Sequence, residues 1–363
     1  MPCARKHDVG LFHGYWGLLQ VALLIAGMVL CMTLLLWPTV GIDIMWNMLI
    51  PVAPALIVVA PGLWRNICPM ATLSLLPRRF GWSRRRILSR SRAGVFLAVG
   101  LVGLLLIVPL RHLSLNTDGP ATALMLFLSA LVAFSAGTVY ELRSGWCNSL
   151  CPIHPAEKLY GMSPAITPVN ARCDTCHQCS TPCPDSTRSM TPVVTGPALI
   201  ERIVGHVMAG GFVGFIWGWY RVPDFAASAV NLNEVVSAYS WPFAAGIVTL
   251  TVYLVIRTWV CQNPADRRLL VKLFATAAVS TYYWYRIPAL LGFGPFPGSG
   301  MLWDLSKSLP DLQMVSRVLT TSFFVWFLLL RDDPRASWLT RPRSGRAAST
   351  PRHGALLAAR GAS

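Results

Sequence analysis

The sequence predicts an all-α membrane protein of about eight transmembrane helices. Composition is the first sign: 54% of the 363 residues are hydrophobic and only 13% are charged, against about 25% charged in a typical soluble domain. Mean hydropathy is +0.52. The second sign is segmental. Apolar stretches lie at roughly 17–38, 45–64, 93–112, 121–142, 198–220, 241–260, 269–292 and 313–330, each near the ~20 residues a helix needs to cross a hydrocarbon core. None alternates at period two, which disfavours strands. The third sign is charge placement. With the N-terminus inside, 26 of the 31 Lys and Arg fall on the inner side, and only Arg111, Arg221, Arg286, Lys307 and Arg317 fall outside. That is the asymmetry of cytoplasmic loops. A disordered chain is excluded, and a soluble globular enzyme is disfavoured. The net charge of +16 would point to nucleic acid in a soluble protein. Here it belongs to the inner loops, and membrane lipid, not nucleic acid, is the expected contact.

Taken in order, residues 1–142 hold helices 1–4. The first apolar run is long enough to span and no small-residue cleavage site follows it, so it reads as a retained helix. The loop 65–92 is basic, and Arg84, Arg85, Arg86, Arg90 and Arg92 read as a topology anchor that can also meet anionic lipid. Residues 143–197 form a cytoplasmic segment rich in cysteine, 198–330 hold helices 5–8, and the basic tail 331–363 reads as disordered.

The cysteines decide the chemistry. Cys68, Cys147, Cys151, Cys173, Cys176, Cys179, Cys183 and Cys261 all fall at or beyond the inner ends of helices. A reducing cytoplasm argues against a disulfide framework, so ligation is the natural alternative. The run Cys173-Asp-Thr-Cys176-His-Gln-Cys179-Ser-Thr-Pro-Cys183-Pro184 is C-x2-C-x2-C-x3-C-P, the spacing that holds a 4Fe-4S cube and sends its fourth cysteine to another cluster. A zinc knuckle is the competing reading of the same residues. The fold class is thus completed by a short cytoplasmic ferredoxin-like 4Fe-4S insertion between helices 4 and 5. A second element repeats at helix ends: Trp64-x3-Cys68-Pro69 after helix 2, and Cys147-x3-Cys151-Pro152, led by Trp146, after helix 4. Both follow a helix running inward, which points to an internal duplication. Trp259-Val-Cys261-Gln-Asn-Pro264 is a weaker third copy.

With CxxxCP at a helix end and CxxCxxCxxxCP in the loop that follows, residues 45–185 resemble the NapH/NosR/CcoG (RdxA/FixG) group of membrane-integral 4Fe-4S ferredoxin-type proteins. The chain has one such run where members usually carry two, and its first CP element lacks the leading cysteine. The resemblance implies a bacterial-type inner membrane, with both termini and the clusters on the cytoplasmic side. It implies electron transfer between the quinone pool or a cytoplasmic donor and a respiratory or maturation partner protein, as a quinol dehydrogenase-like component. The alternative is a metal-handling or assembly factor, such as a CcoG-like copper reductase. Two cubes need eight thiolates, and eight cysteines face inward: Cys173, Cys176, Cys179 and Cys183, completed by Cys68, Cys147, Cys151 and Cys261. One cluster, leaving spare thiols for copper(I), is the competing count.

Other polar residues say less. His206 and His112 lie at different depths, which disfavours a membrane haem. His154 and His177 flank the cysteine motifs and can donate to cluster sulfur. Tyr282-Tyr283-Trp284-Tyr285-Arg286 reads first as an aromatic belt with a snorkelling arginine, and more sharply as a quinone pocket. No nucleotide, zinc-protease or serine-hydrolase motif is present in the sequence.

Overall fold

The computed structural model describes residues 14–86, 88–141, 145–172, 198–226, 230–296, 300–331 and 337–340. These residues are helical, with two isolated bridges, Arg86 to Tyr140 and Val169 to Thr340, and no β-strand among them. Seven helices in the described residues are long and apolar enough to cross a membrane: α1 Tyr15–Leu36, α2 Pro38–Val59, α5 Ser91–Leu115, α6 Gly119–Val139, α8 Leu199–Trp219, α9 Leu232–Val260 and α11 Leu312–Leu330. Their outer faces stay apolar and unpacked. Ile247 and Val248 of α9 are each 62% exposed, which suits lipid and would be costly in water. These are the features of a multi-pass membrane protein.

The segment expected as helix 7 is also helical, as α10 Pro264–Leu290. It stands outside the apolar set because its ends carry Asp266, Arg267, Arg268 and Lys272 at one side and Arg286 at the other. Three shorter helices occupy the loops: α3 Pro61–Ile67, α4 Pro69–Arg79 and α7 His154–Tyr160.

Proline punctuates the first half. Ala60 and Cys68 precede Pro61 and Pro69, leave the helical region, and so end α2 and α3. Inside α2 the ladder is opened by a side chain from α10. Ala55 N–H donates to the Tyr283 hydroxyl (2.9 Å), which donates on to the Pro51 carbonyl (2.5 Å). A hydroxyl inserted between residues i and i−4 is a recognised cause of a bend, and it ties α10 to α2 at mid-depth.

In the second half, α8 and α9 cross at near-backbone contact. A Cβ on Gly214 would overlap the Ala245 carbonyl, and one on Gly218 the Trp241 carbonyl. Small residues four apart permit this approach, where apolar side chains gain little by leaving lipid. The main core collects Tyr253, Met208, Val271, Ala275 and Leu328 around this crossing.

The chain returns near its end. Leu339 is fully buried, Trp338 Nε1 donates to the Gly161 carbonyl (2.6 Å), and Thr340 exchanges backbone bonds with Pro168 and Asn170. A Cβ on Gly62 would strike the Trp338 carbonyl, so α3 leaves room for this segment only because residue 62 is glycine. A single tryptophan in an Arg-rich tail gave no periodic signal from which to expect this docking.

A candidate cysteine-lined site

The two CP elements end in the same backbone conformation, although Cys68 closes an α-turn to residue i−4 and Cys151 a wider π-turn to residue i−5. Cys68 has φ −53°, ψ 119° and Cys151 has φ −62°, ψ 120°. Each amide turns back to the tryptophan that leads its element, Cys68 to the Trp64 carbonyl and Cys151 to the Trp146 carbonyl, both at 3.0 Å. Each cysteine is followed by proline, which imposes the extended ψ. Cys261 differs, with φ −85°, ψ 85°, because its proline comes later.

Arg65 joins the two elements. Its guanidinium donates to Glu157 Oε2 (2.5 Å from Nη2, 3.0 Å from Nε), to Asn148 Oδ1 (2.9 Å) and to the Cys147 carbonyl (3.2 Å). Trp64 Nε1 donates to the other Glu157 oxygen at 2.8 Å. His154 Nδ1 lies 2.7 Å from Arg65 Nη2. The same imidazole nitrogen lies 3.3 Å from Glu157 Oε2, so it sits between a donor and an acceptor. Burial, reinforced by Arg65, holds His154 down at about 3. Burial alone would raise Glu157, but Arg65 and His154 outweigh it and hold the carboxyl at about 2. The Trp338 ring covers the Arg65 guanidinium at 4.8 Å.

Arg172 joins the third element. It is 1% exposed and donates to the carbonyls of Arg65 (3.1 Å), Asn66 (3.1 Å) and Cys68 (3.0 Å), and to Thr72 Oγ1 (3.2 Å). Asn66 adds a pair of bonds to the same strand of chain, accepting from Ala171 N–H and donating to the Val169 carbonyl. Arg172 immediately precedes Cys173, so the chain leading into the ferredoxin-type run is pinned against the Cys68 element. Cys173, Cys176, Cys179 and Cys183 themselves lie outside the described residues.

Cys68, Cys147 and Cys151 line one cavity of about 310 Å³. Its walls are apolar, from Trp46, Ala53 and Ile57 of α2, Leu104 of α5, Phe215 of α8 and Tyr282 of α10. On the α5 side, Gly100 lets the backbone of the second element approach: a Cβ there would lie 2.9 Å from the Ser149 carbonyl and 3.2 Å from that of Cys151. Burial first, then the negative neighbours, pushes the Cys68 thiol up to about 11 and the Cys151 thiol well up. Without a bound cation these groups stay protonated, and a coordinating metal would ionise them.

Among the described residues, no three His, Cys, Asp or Glu side chains come together as a metal-binding group. A cube offers its irons at separate corners, so its thiolates need not meet at one point. Cys68, Cys147 and Cys151 line one cavity and are the described thiols available to a bound group. Cys261 does not line the cavity; it is buried in the main core, within electrostatic reach of Tyr253.

The remaining expected residues are placed as follows. Arg286 does not snorkel: it is 5% exposed and donates to the Trp46 carbonyl and Asn47 Oδ1. His112 stacks on Trp219, with its ring nitrogens facing Asp224 and the Trp219 carbonyl. His206 lies on α8 with its ring 6.0 Å from that of Tyr253. Arg65, Glu157 and Arg172 carry the site's architecture and were not singled out from the sequence. A charge set between a tryptophan and a CP pair was the available signal. Comparison with known protein families, with curated proteins and with solved structures finds no match to the chain.

Proposed function

We propose that the protein is a membrane-bound iron–sulfur electron carrier that exchanges electrons with a quinone in the apolar cavity. One observation carries the reading: Arg172 and Arg65 tie the start of the Cys173 run, the Cys68 element and the Cys147–Cys151 element into a single locus opening on that cavity. Cys173, Cys176 and Cys179 would hold one 4Fe-4S cube, with Cys183, Cys68, Cys147, Cys151 and Cys261 completing that cube and a second. A bound cluster supplies one-electron transfer. The chain's own part is to keep water away with Trp46, Ile57 and Phe215 and to hold the cysteine backbone still through two buried arginines. Resemblance to the NapH/NosR/CcoG group supports the quinone link, as does the apolar lining. In the topology that goes with this reading, α10 is an eighth span and the thiols face the cytoplasm.

The deciding experiment is iron and acid-labile sulfide per chain after anaerobic purification. About eight of each is expected for two cubes, and Cys176→Ser should remove the visible absorbance and reduced-state EPR signal of at least one. Stoichiometric zinc without iron would overturn the cluster. About four irons, unchanged when Cys68 and Cys261 are both replaced by Ser, would overturn the second cube and leave Cys147 and Cys151 to a copper-handling role. A cytoplasm-only reporter fused after Ser186 should be active and one fused after Thr117 silent.

A further inference from the structure

A second cavity, of about 350 Å³, lies at the opposite ends of α2, α5 and α10 from the cysteines and is polar. Two arginines face it, Arg111 from α5 and Arg286 from α10, and they are 6% and 5% exposed. Both belong to the side of the molecule that the charge count leaves nearly free of cations. Neither forms an ion pair with a carboxylate among the described residues. Arg111 is clamped between the rings of Trp46 (4.2 Å) and Trp219 (4.8 Å), with Nε donating to Asn116 Oδ1 at 3.1 Å. Arg286 spends Nη2 on the Trp46 carbonyl (2.7 Å) and Asn47 Oδ1 (2.5 Å), while its Nε is buried with no partner.

The carboxylates on the same wall are engaged by other donors. Asp43 accepts from Asn47 Nδ2 at 2.7 Å, and Asp224 accepts from Asn116 Nδ2 at 2.6 Å and faces His112 Nδ1 at 2.7 Å. The loop above is shaped to the arginine. Gly300 has φ +68°, and a Cβ there would come within 2.5 Å of Arg286 Nη1. Each guanidinium reaches its nearest carboxylate only through an asparagine, Arg286 through Asn47 to Asp43 and Arg111 through Asn116 to Asp224, and a buried charge is costly without a direct partner. Aromatic walls that exclude water strengthen the attraction for an anion, and the planar fork matches the oxygens of a phosphate.

We propose that this cavity binds a phosphate group, held jointly by Arg111 and Arg286. The group comes either as free inorganic phosphate or as the headgroup of a phospholipid seated at the helix ends; the recognition chemistry is the same. The two cavities share Trp46, Arg111 and Trp219 as walls, but no cysteine lines this one, so its test reads phosphate and not iron.

The experiment uses the full chain, purified and delipidated in detergent, with radiolabelled inorganic phosphate in equilibrium dialysis and phosphorus analysis of retained lipid. One phosphate per chain at millimolar concentration is expected, weakened at least about tenfold in Arg286→Gln, as loss of a charge-assisted hydrogen bond dictates. Arg111→Lys keeps the charge but loses the fork, and should weaken binding similarly; it serves if Arg286→Gln does not fold. One tightly retained phospholipid in the parent, lost from these variants, supports the same site with lipid as the source. Neither bound phosphate nor retained lipid in the parent, or equal binding in parent and both variants, overturns the proposal.

Discussion

Replacing Glu157 with glutamine tests the junction between the two CP elements. The carboxylate is 4% exposed and Arg65 is 3% exposed, so neither charge is solvated by water. Glutamine keeps the shape but removes the charge, and its amide nitrogen must point at either Trp64 or Arg65, both donors. Breaking a buried pair by neutralising one member costs about 3–5 kcal/mol, because the other charge is left uncompensated. Proton linkage gives a second, independent figure. The carboxyl is held at about 2 against an ordinary value of 4.5, and at about 1.4 kcal/mol per unit this is roughly 3 kcal/mol. In a chain of this length such a loss corresponds to a fall in melting temperature on the order of 5–10 °C. Thermal unfolding followed by tryptophan fluorescence at pH 7 in one detergent reads it. Replacing Arg65 and Glu157 together by leucine should recover much of the loss, since a well-packed apolar pair avoids both desolvation penalties. A Glu157→Gln protein melting within about 1 °C of the parent would refute the reasoning, and so would a double variant less stable than the single.

Acid should act on the same network in two stages. His154, depressed to about 3 from 6.5, contributes stability present above pH 6.5 and lost as pH falls toward 3, while the Glu157 contribution is lost between about 4.5 and 2; His154→Gln should flatten the upper part of a melting-temperature-against-pH curve. Gly214→Val should drive a side chain into the Ala245 carbonyl and cost about 1–3 kcal/mol or more, read as lost monodispersity in size-exclusion chromatography. Arg172→Gln strips donors from the buried carbonyls of Arg65 and Cys68, at about 1–3 kcal/mol, and should lower iron per purified chain while leaving the reporter topology unchanged.

The sequence was legible where one physical rule dominates. Seven apolar runs became helices long enough to span, because lipid demands internal backbone pairing from any such segment. The alignment of Trp64-x3-Cys68-Pro69 with Cys147-x3-Cys151-Pro152 was legible too, since proline imposes its conformation locally. What stayed hidden depends on partners far apart in the chain. Tyr283 and Arg286 looked like members of an interfacial belt, yet both turn inward to α2, one to patch a proline-broken ladder and the other to cap the carbonyl of Trp46. Neither role has a local signature. Arg65 and Arg172 reach each other's elements across about a hundred residues, and a lone acid such as Glu157 reveals its partner only in three dimensions.

The docking of Trp338 and Leu339 beneath α3 sets an order of events during synthesis. Arg65, Glu157 and Arg172 are all present once residue 172 has emerged, but the ring that covers Arg65 is encoded 166 residues later. At ordinary translation speeds of ~5–20 residues per second, that interval is roughly ten to thirty seconds. Throughout it the arginine network lacks the ring that covers it, while the four later helices, α8 to α11, are still being threaded into the bilayer one after another. Closure by the tail is therefore among the last acts of assembly, and truncation before residue 337 would leave a chain with every membrane helix but a permanently uncovered base.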